Sequence, residues 1–289
     1  MKKEANKHSS GCLYLVPTPI GNLDDMTFRA VKTLKQVDYI AAEDTRVTMK
    51  LCRHFEISTP LISYHEHNKE KQGKRLIALM QDGKTIALVS DAGTPAISDP
   101  GSELVSLCIQ EEIGVIPLPG ANAAITALIA SGLYEKQFYF YGFLPRRKKD
   151  RRKQLERLMS IQAPIVFYEA PHRLNETLHA ILKAFGNRNA VLAKELTKRH
   201  EQFVRGTIEE LIGWVSERDI LGEFCIVVSG NDEKTAEEPA AWWRGLSLVE
   251  HVDHCVEKEK LSVKDAIKRV AQERGMPKRD VYQQYHVRR

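Results

Sequence analysis

The chain has 289 residues, 43% of them hydrophobic and 28% charged, with 43 Lys and Arg against 38 Asp and Glu and a formal net charge of +5. This is apolar material for about two packed domains, and the mild basic excess permits an anionic partner without requiring one. No apolar run approaches the roughly 20 residues of a membrane span, the opening MKKEANKHSSG reads as a frayed polar tail and not a signal peptide, and five scattered cysteines without a CxxC pair fit a reducing cytoplasm with neither disulfides nor zinc.

In chain order, CLYLVPTPI (Cys12 to Ile20) is a short strand halted by Pro17 and Pro19. A Gly21-Asn22 turn leads into a helix capped by Asp24 or Asp25 that carries Phe28, Val31, Leu34 and Val37 on one face. YIAAED is a second strand ending on Glu43 and Asp44, the stretch from Val47 to Phe55 has helical spacing, and PLISYH is a third strand. A helix from Lys71 to Gln81 stops at Asp82-Gly83. TIALVS is the fourth strand, Gly101 to Glu112 a helix, GVIPLPG the fifth strand, and ANAAITALIASG a small-residue helix ending at Gly132. The alternation predicts a mostly parallel sheet with helices on both faces, in which ligands bind outside the carboxyl ends of the strands. Four turn-rich segments fall on that edge: Pro17 to Asn22, Glu43 to Arg46, Asp91 to Gly101 and Pro119 to Asn122. The HEH at His65 to His67 brings two imidazoles to one strand face without a third ligand, so no metal is expected.

A second α/β unit begins near Gln137 with the aromatic strand FYFYGFLP. After it come seven basic residues within eight: Arg146, Arg147, Lys148, Lys149, Arg151, Arg152 and Lys153. PIVFYEAPHRL is a strand running into a helix, followed by AVLAKELTKRHEQFVRG, the helix TIEELIGWVSE and the strand EFCIVVSG. An acidic linker containing Pro then leads to a purely helical end. There Val263, Ala266, Ile267, Val270 and Ala271 share a face, Gly275 is a stop, and Pro277 opens a helix with Val281 and Tyr285. This reads as a helix-turn-helix module or a small capping bundle. The expected division is 1–11 tail, 12–135 first domain, 136–231 second domain, and 232–289 linker and helices.

The segment IALVSDAGTPAISDPG ends a buried strand in dense turn chemistry. It lacks the Lys and spacing of GxxxxGK[ST], and it is not GxGxxG, so a phosphate is not its expected ligand. Acyl transfer lacks its GxSxG or Cys/His pair. What remains is a small cofactor with a carboxylate, hydroxyls and a flat base, approached closely by backbone at Gly and Ala.

Seven segments in order, LVPTPIGNLDDMT, AAEDTR, SDAGTPAISDPG, PLPGANAAITAL, FYGFLPRR, FYEAPHRL and KELTKRHEQFVRG, resemble the tetrapyrrole methylase superfamily from about Cys12 to Gly230. The terminal helices are similar to an extension of its branch that acts on 16S ribosomal RNA. The resemblance implies a two-lobed α/β fold, with S-adenosylmethionine folded in the cleft between the lobes, and a homodimer. The cofactor residues it implies are Pro17, Asp91, Ala92, Gly93, Thr94, Pro95, Asp99, Pro119, Gly120, Ala121, Ala124 and Tyr168. The implied activity is 2′-O-methylation of a cytidine in the decoding region of 16S rRNA, in the cytoplasm, with the basic run Arg146 to Lys153 as an RNA strip at the mouth of the cleft. A tetrapyrrole methyltransferase and a non-catalytic RNA-binding assembly factor are the alternatives.

A ribose hydroxyl needs a base or a polarising cation, and its attack must be in line with the departing sulfur. The candidates are Glu43, Asp44 and Arg46, then Glu169, His172 and Arg173, then Glu195 and Lys198. Glu169 or Glu43 is favoured as base, and Arg46 or Arg173 as clamp.

Overall fold

The computed structural model describes residues 11–134, 136–231, 243 and 245–287. The expected polar tail, apart from Gly11, and the acidic linker after Asn231 lie outside them. Strands β1 (Cys12–Leu15), β2 (Tyr39–Ala42), β3 (Leu61–Ser63), β4 (Ile86–Val89) and β5 (Gly114–Pro117) form a sheet in the order β3-β2-β4-β1-β5, with every pairing parallel. Strand alternation turns Ile40, Ala42, Ala87 and Val89 toward α1 (Phe28–Gln36) and α2 (Thr45–His54). It turns Leu13, Ala41, Ile86 and Leu88 toward α3 (Lys69–Gln81) and α4 (Gly101–Gln110). Because both faces are covered, β4 is buried throughout, which is why IALV reads as an unbroken apolar run.

The start of α1 differs from expectation. Thr27 caps it, accepting from the Ala30 N–H at 3.0 Å, while Asp24 and Asp25 lie in a 3-10 turn (Leu23–Asp25) capped by Asn22. Phe28 is 98% exposed, whereas Ala30 and Leu34 are buried. Residues spaced only by three drift about 60° per step around a helix, so Phe28 lies about 160° from Ala30 and faces water.

The second sheet contains β6 (Tyr139–Phe143), β7 (Ile165–Glu169), β8 (Asn189–Lys194), β9 (Gln202–Thr207) and β10 (Phe224–Val228) in the order β6-β7-β10-β8-β9. The β6–β7 pair is parallel and the others are antiparallel. Helices α6 (Lys148–Leu158), α7 (Pro171–Phe185) and α8 (Ile208–Ser216) bury one face around Phe167, Leu178 and Ile226. The other face is covered by α5 (Ala123–Ser131), which follows the first sheet in sequence yet packs Ala124, Ala127 and Leu128 on Val166, Ala193 and Cys225 of the second. Its small side chains permit that close helix–sheet contact. Both sheets belong to one compact unit that ends at Asn231.

The C-terminal unit contains α9 (Leu248–Glu257), α10 (Val263–Glu273) and α11 (Lys278–Val287) around Val252, Ile267, Val270, Val281 and Tyr285. Ser247 and Glu250 form a capping box at the head of α9, a start signal written in the sequence as Ser-Leu-Val-Glu. Among the described residues no helix is long and apolar enough to cross a membrane.

Candidate cofactor cleft and catalytic rim

The loops after β1, β4 and β5 are stitched together at the carboxyl edge of the first sheet. Thr18 and Gly93 exchange two backbone hydrogen bonds of 3.0 Å. The Thr18 hydroxyl donates to the Ser90 carbonyl at 3.1 Å, and the Thr94 hydroxyl donates to the Ala121 carbonyl at 2.9 Å. Gly93 has φ +80°, and a Cβ there would stand 3.2 Å from Ile20 Cγ2 and 3.5 Å from the Ala121 carbonyl oxygen. At Gly120 a Cβ would fall 2.5 Å from the Pro17 Cβ, so this glycine is required by the packing of the first loop on the third.

The two aspartates of the β4 loop secure the turns around them. Both Asp99 carboxylate oxygens accept from the Ala96 N–H at 2.9 Å, and Oδ1 also accepts from the Gly101 N–H at 2.8 Å. This holds Ala96 at φ +67°, a conformation costing a non-glycine residue about 1–3 kcal/mol. Asp91 Oδ1 accepts from the Asp44 N–H at 3.0 Å and so ties this loop to the one after β2.

Between this edge and the second sheet lies a cavity of about 580 Å³. Of the residues named from sequence as cofactor contacts, Ala92, Gly93, Thr94 and Tyr168 line it, while Pro17, Asp91, Pro95, Asp99, Pro119, Gly120, Ala121 and Ala124 do not. The second sheet supplies a wall that the sequence reading missed: Ala193, Leu196, Phe224 and Cys225, with Ile20, Ile97 and Phe143 completing the apolar lining. Burial pushes the Tyr168 phenol up to about 12, so it stays neutral near pH 7. Its oxygen accepts from the Ala124 N–H at 3.1 Å, leaving its own proton for a ligand. The first-turn amides of α5, expected to be free for a carboxylate, are partly used internally, since the Ile125 N–H donates to Asn122 Oδ1 at 3.0 Å.

Among the described residues no Lys or Arg lines the cavity, and its ionisable groups include Glu169, His172 and Glu223. Apolar walls and a few hydroxyls with no cation in the lining do not suit a phosphate, and the two lining carboxylates are paired from behind, Glu169 with Arg173 at 3.4 Å and Glu223 with Lys198 at 3.1 Å. Among the described residues no three His, Cys, Asp or Glu gather as metal ligands.

The four residues assigned to catalysis occupy different settings. Glu43, at the end of β2, has its carboxyl pushed up by burial and then by the neighbouring Asp91 and Asp99, partly offset by the Asp91 N–H and by His65. Arg46 is 88% exposed and grips Asp44 at 2.6 Å, holding that carboxyl down to about 2. Glu169 is buried with both oxygens engaged: Oε1 accepts from the Ala170 N–H at 2.9 Å, and Oε2 accepts from the Thr177 hydroxyl at 2.6 Å beside Arg173 at 3.4 Å. Arg173 also donates to the Leu144 carbonyl at 2.9 Å. Glu169 and Arg173 thus brace the β7–α7 turn that presents Pro171 and His172 to the cavity. Glu195 and Lys198 form another brace, with Lys198 bridging Glu195 at 2.9 Å and the cavity residue Glu223 at 3.1 Å.

The basic run opens α6, whose N-cap Arg147 provides no capping side-chain bond. Cations at a helix N-terminus oppose the macrodipole, a cost that Asp150 in the same first turn offsets only in part. Arg146, Arg147, Lys149 and Lys153 are exposed and have no ion pair among the described residues, while Lys148 and Arg152 make pairs of 3.5 Å with Glu176 and Glu156. Arg151 turns inward, 3% exposed, with Nη2 2.8 Å from Glu176. Its role in the fold predicts that Arg151→Ala lowers stability by about 1–2 kcal/mol by removing that packing and pairing. A denaturation midpoint equal to that of the parent would show that its burial contributes nothing.

Fold and cavity together define the class: a two-lobed α/β protein with a largely apolar cavity at the carboxyl edge of a parallel sheet. The family model "Tetrapyrrole (Corrin/Porphyrin) Methylases" matches residues 12–212, and the chain belongs to that family. It is 56% identical over 282 residues to "Ribosomal RNA small subunit methyltransferase I" of Bacillus subtilis strain 168, covering 98% of this chain and 96% of the relative. With the protein of the same name from Halalkalibacterium halodurans it shares 58% identity over 280 residues, covering 97% of this chain and 96% of that one. Among solved structures, uroporphyrin-III C-methyl transferase from Thermus thermophilus complexed with S-adenyl homocysteine superposes with a TM-score of 0.54 at 15% identity. That match covers 76% of this chain and 97% of the other, a likeness of fold.

Proposed function

We propose that this protein is a small-subunit ribosomal RNA methyltransferase that moves a methyl group from S-adenosylmethionine to the 2′-hydroxyl of a cytidine in the decoding region of 16S rRNA. The observation that carries the reading is the extent of the likeness: relatives named for small-subunit rRNA match over 97–98% of the chain. The superposed tetrapyrrole enzyme leaves about a quarter of it unmatched. The exposed cations heading α6 also favour a polyphosphate substrate. The working form is a cytoplasmic homodimer without a metal.

Bound in the cavity, S-adenosylmethionine supplies an electrophilic methyl group on a sulfonium. The Ala92–Thr94 backbone and Tyr168 would hold it, and the apolar walls would exclude water. Glu43 would take the proton of the ribose hydroxyl, so that the C–O bond to the methyl group could form as the C–S bond of the sulfonium breaks and the sulfur leaves as a neutral thioether. Arg46 steadies a flanking phosphate, and Glu169 with Arg173 acts as a positioning pair.

The test is incubation with S-adenosylmethionine and either small subunits from a strain lacking the protein or a precorrin, followed by mass spectrometry of the products. A single new ribose-methylated cytidine is expected. Methylation of the precorrin alone would establish the tetrapyrrole reading, and calorimetry showing no cofactor binding would leave an assembly factor. Replacing Arg146, Arg147, Lys149 and Lys153 with Ala is expected to weaken RNA binding and to reduce the log–log salt slope by up to about 0.9 for each duplex phosphate no longer neutralised, with cofactor affinity unchanged. An intact slope would make the strip a solvated face.

A further inference from the structure

The two helices on one face of the first sheet carry cations and no acid. The sequence of α1 is FRAVKTLKQ and that of α2 is TRVTMKLCRH. Arg29, Lys32, Lys35, Arg46, Lys50 and Arg53 are all exposed, and among the described residues only Arg46 has an ion-pair partner. The helices share one core layer with Ile40 and Ala87, so they lie over the same sheet face. Each follows a parallel strand, which puts its first turn at the carboxyl edge, on the rim described above.

At that end stands Phe28, 98% exposed, with Lys32 and Lys35 four and seven residues on and therefore on the same side of α1. A single exposed aromatic is ordinary by itself. A ring heading one acid-free row of cations, with a second such row on the other helix of the same sheet face, is the composition that binds single-stranded RNA, where bases stack on aromatic faces and the backbone follows positive charge.

We propose that the α1–α2 face is a second RNA-binding surface, on which Phe28 stacks against an unpaired base and Arg29, Lys32, Lys35, Lys50 and Arg53 contact phosphates of the strand leading to the rim. This rests on the rRNA-methylation reading and names a substrate contact beyond the α6 strip. The surface is built from exposed side chains whose removal leaves the core of the sheet untouched.

The test uses the full-length protein with 16S rRNA and with small subunits, measuring affinity, salt dependence and methyl-transfer kinetics. Phe28→Ala is expected to weaken RNA binding about tenfold, raising KM for RNA with kcat and cofactor affinity unchanged. Replacing Arg29, Lys32 and Lys35 with Ala is expected to lower the log–log salt slope by about 2, at about 0.7 per single-strand phosphate. A control replacing Lys71, Lys74 and Arg75 on α3, which covers the opposite face, removes equal charge and is expected to leave the slope in place. Three results overturn the proposal: unchanged RNA affinity in the α1 variants while the parent methylates RNA; an equal loss in the α3 control; or a loss seen with subunits but not with rRNA, which assigns the face to a ribosomal protein. Failure of the parent protein to methylate RNA overturns the underlying reading instead, so the two failures are distinct.

Discussion

Gly93→Val abolishes S-adenosylmethionine binding while the protein remains folded: this is the expected result of placing a branched side chain on the β4 loop. Gly93 sits at φ +80°, where a β-branched residue is strongly disfavoured. Its new Cβ would stand 3.2 Å from Ile20 Cγ2, before the two further carbons of valine are counted, and Ile20 and Gly93 both line the cavity. The backbone must either move, breaking the two 3.0 Å bonds to Thr18, or fill ligand space. Either outcome removes the cofactor's seat, with a local strain of about 1–3 kcal/mol. The two sheets keep their cores, since the residue belongs to neither. Calorimetric titration beside a thermal melt measures both quantities. Parent-like affinity in a folded variant would remove this loop from the cofactor site.

Glu43→Gln is expected to lower kcat by about 10²–10⁴ with cofactor affinity retained, the range for losing a general base. Burial and the carboxylates of Asp91 and Asp99 raise the Glu43 carboxyl above its ordinary value, so the acid limb of the parent's rate profile lies above that of an exposed glutamate. In the variant that limb disappears. The same shift has a stability consequence of definite sign. A carboxyl whose pKa is higher folded than unfolded loses stability as pH rises through the folded value, so near neutral pH the charged Glu43 is a burden on the native state and Gln relieves it. A gain in stability together with a loss of rate is the signature of a residue kept for chemistry. If rate and pH profile match the parent, the proton goes elsewhere, and His172 in the cavity lining becomes the first candidate.

Much of the first lobe was legible because its signals are local. Apolar runs bounded by turn residues placed all five strands of the first sheet within a few residues of β1 to β5, and parallel topology then put the loops at Thr18, Asp44, Gly93 and Asn122 on one edge. Gly93 is singled out by the resemblance of SDAGTPAISDPG to the family's cofactor loop, since a glycine after a buried strand taken alone more often serves only the turn. Helical phase was less legible: spacing by three made Phe28 look buried, and a run of seven cations gave no sign that Arg151 turns inward to Glu176.

The opposite wall of the cavity was not legible. Ala193, Leu196, Phe224 and Cys225 are apolar residues on or beside strands, indistinguishable in sequence from core. They meet the Gly93 loop only because β10 pairs antiparallel between β7 and β8, and because α5 leaves the first sheet to cover the second. Likewise, a glutamate such as Glu169 reads as a base until the Thr177 hydroxyl and Arg173 are seen to occupy its oxygens. The sequence by itself determined what depends on neighbours along the chain: strands, turns, caps and the stretches of charge. Tertiary structure decided what depends on pairing across it, namely which carboxylates are already bonded, which cations are buried and which apolar side chains face a ligand, since burial and hydrogen bonding are set by residues far apart in sequence.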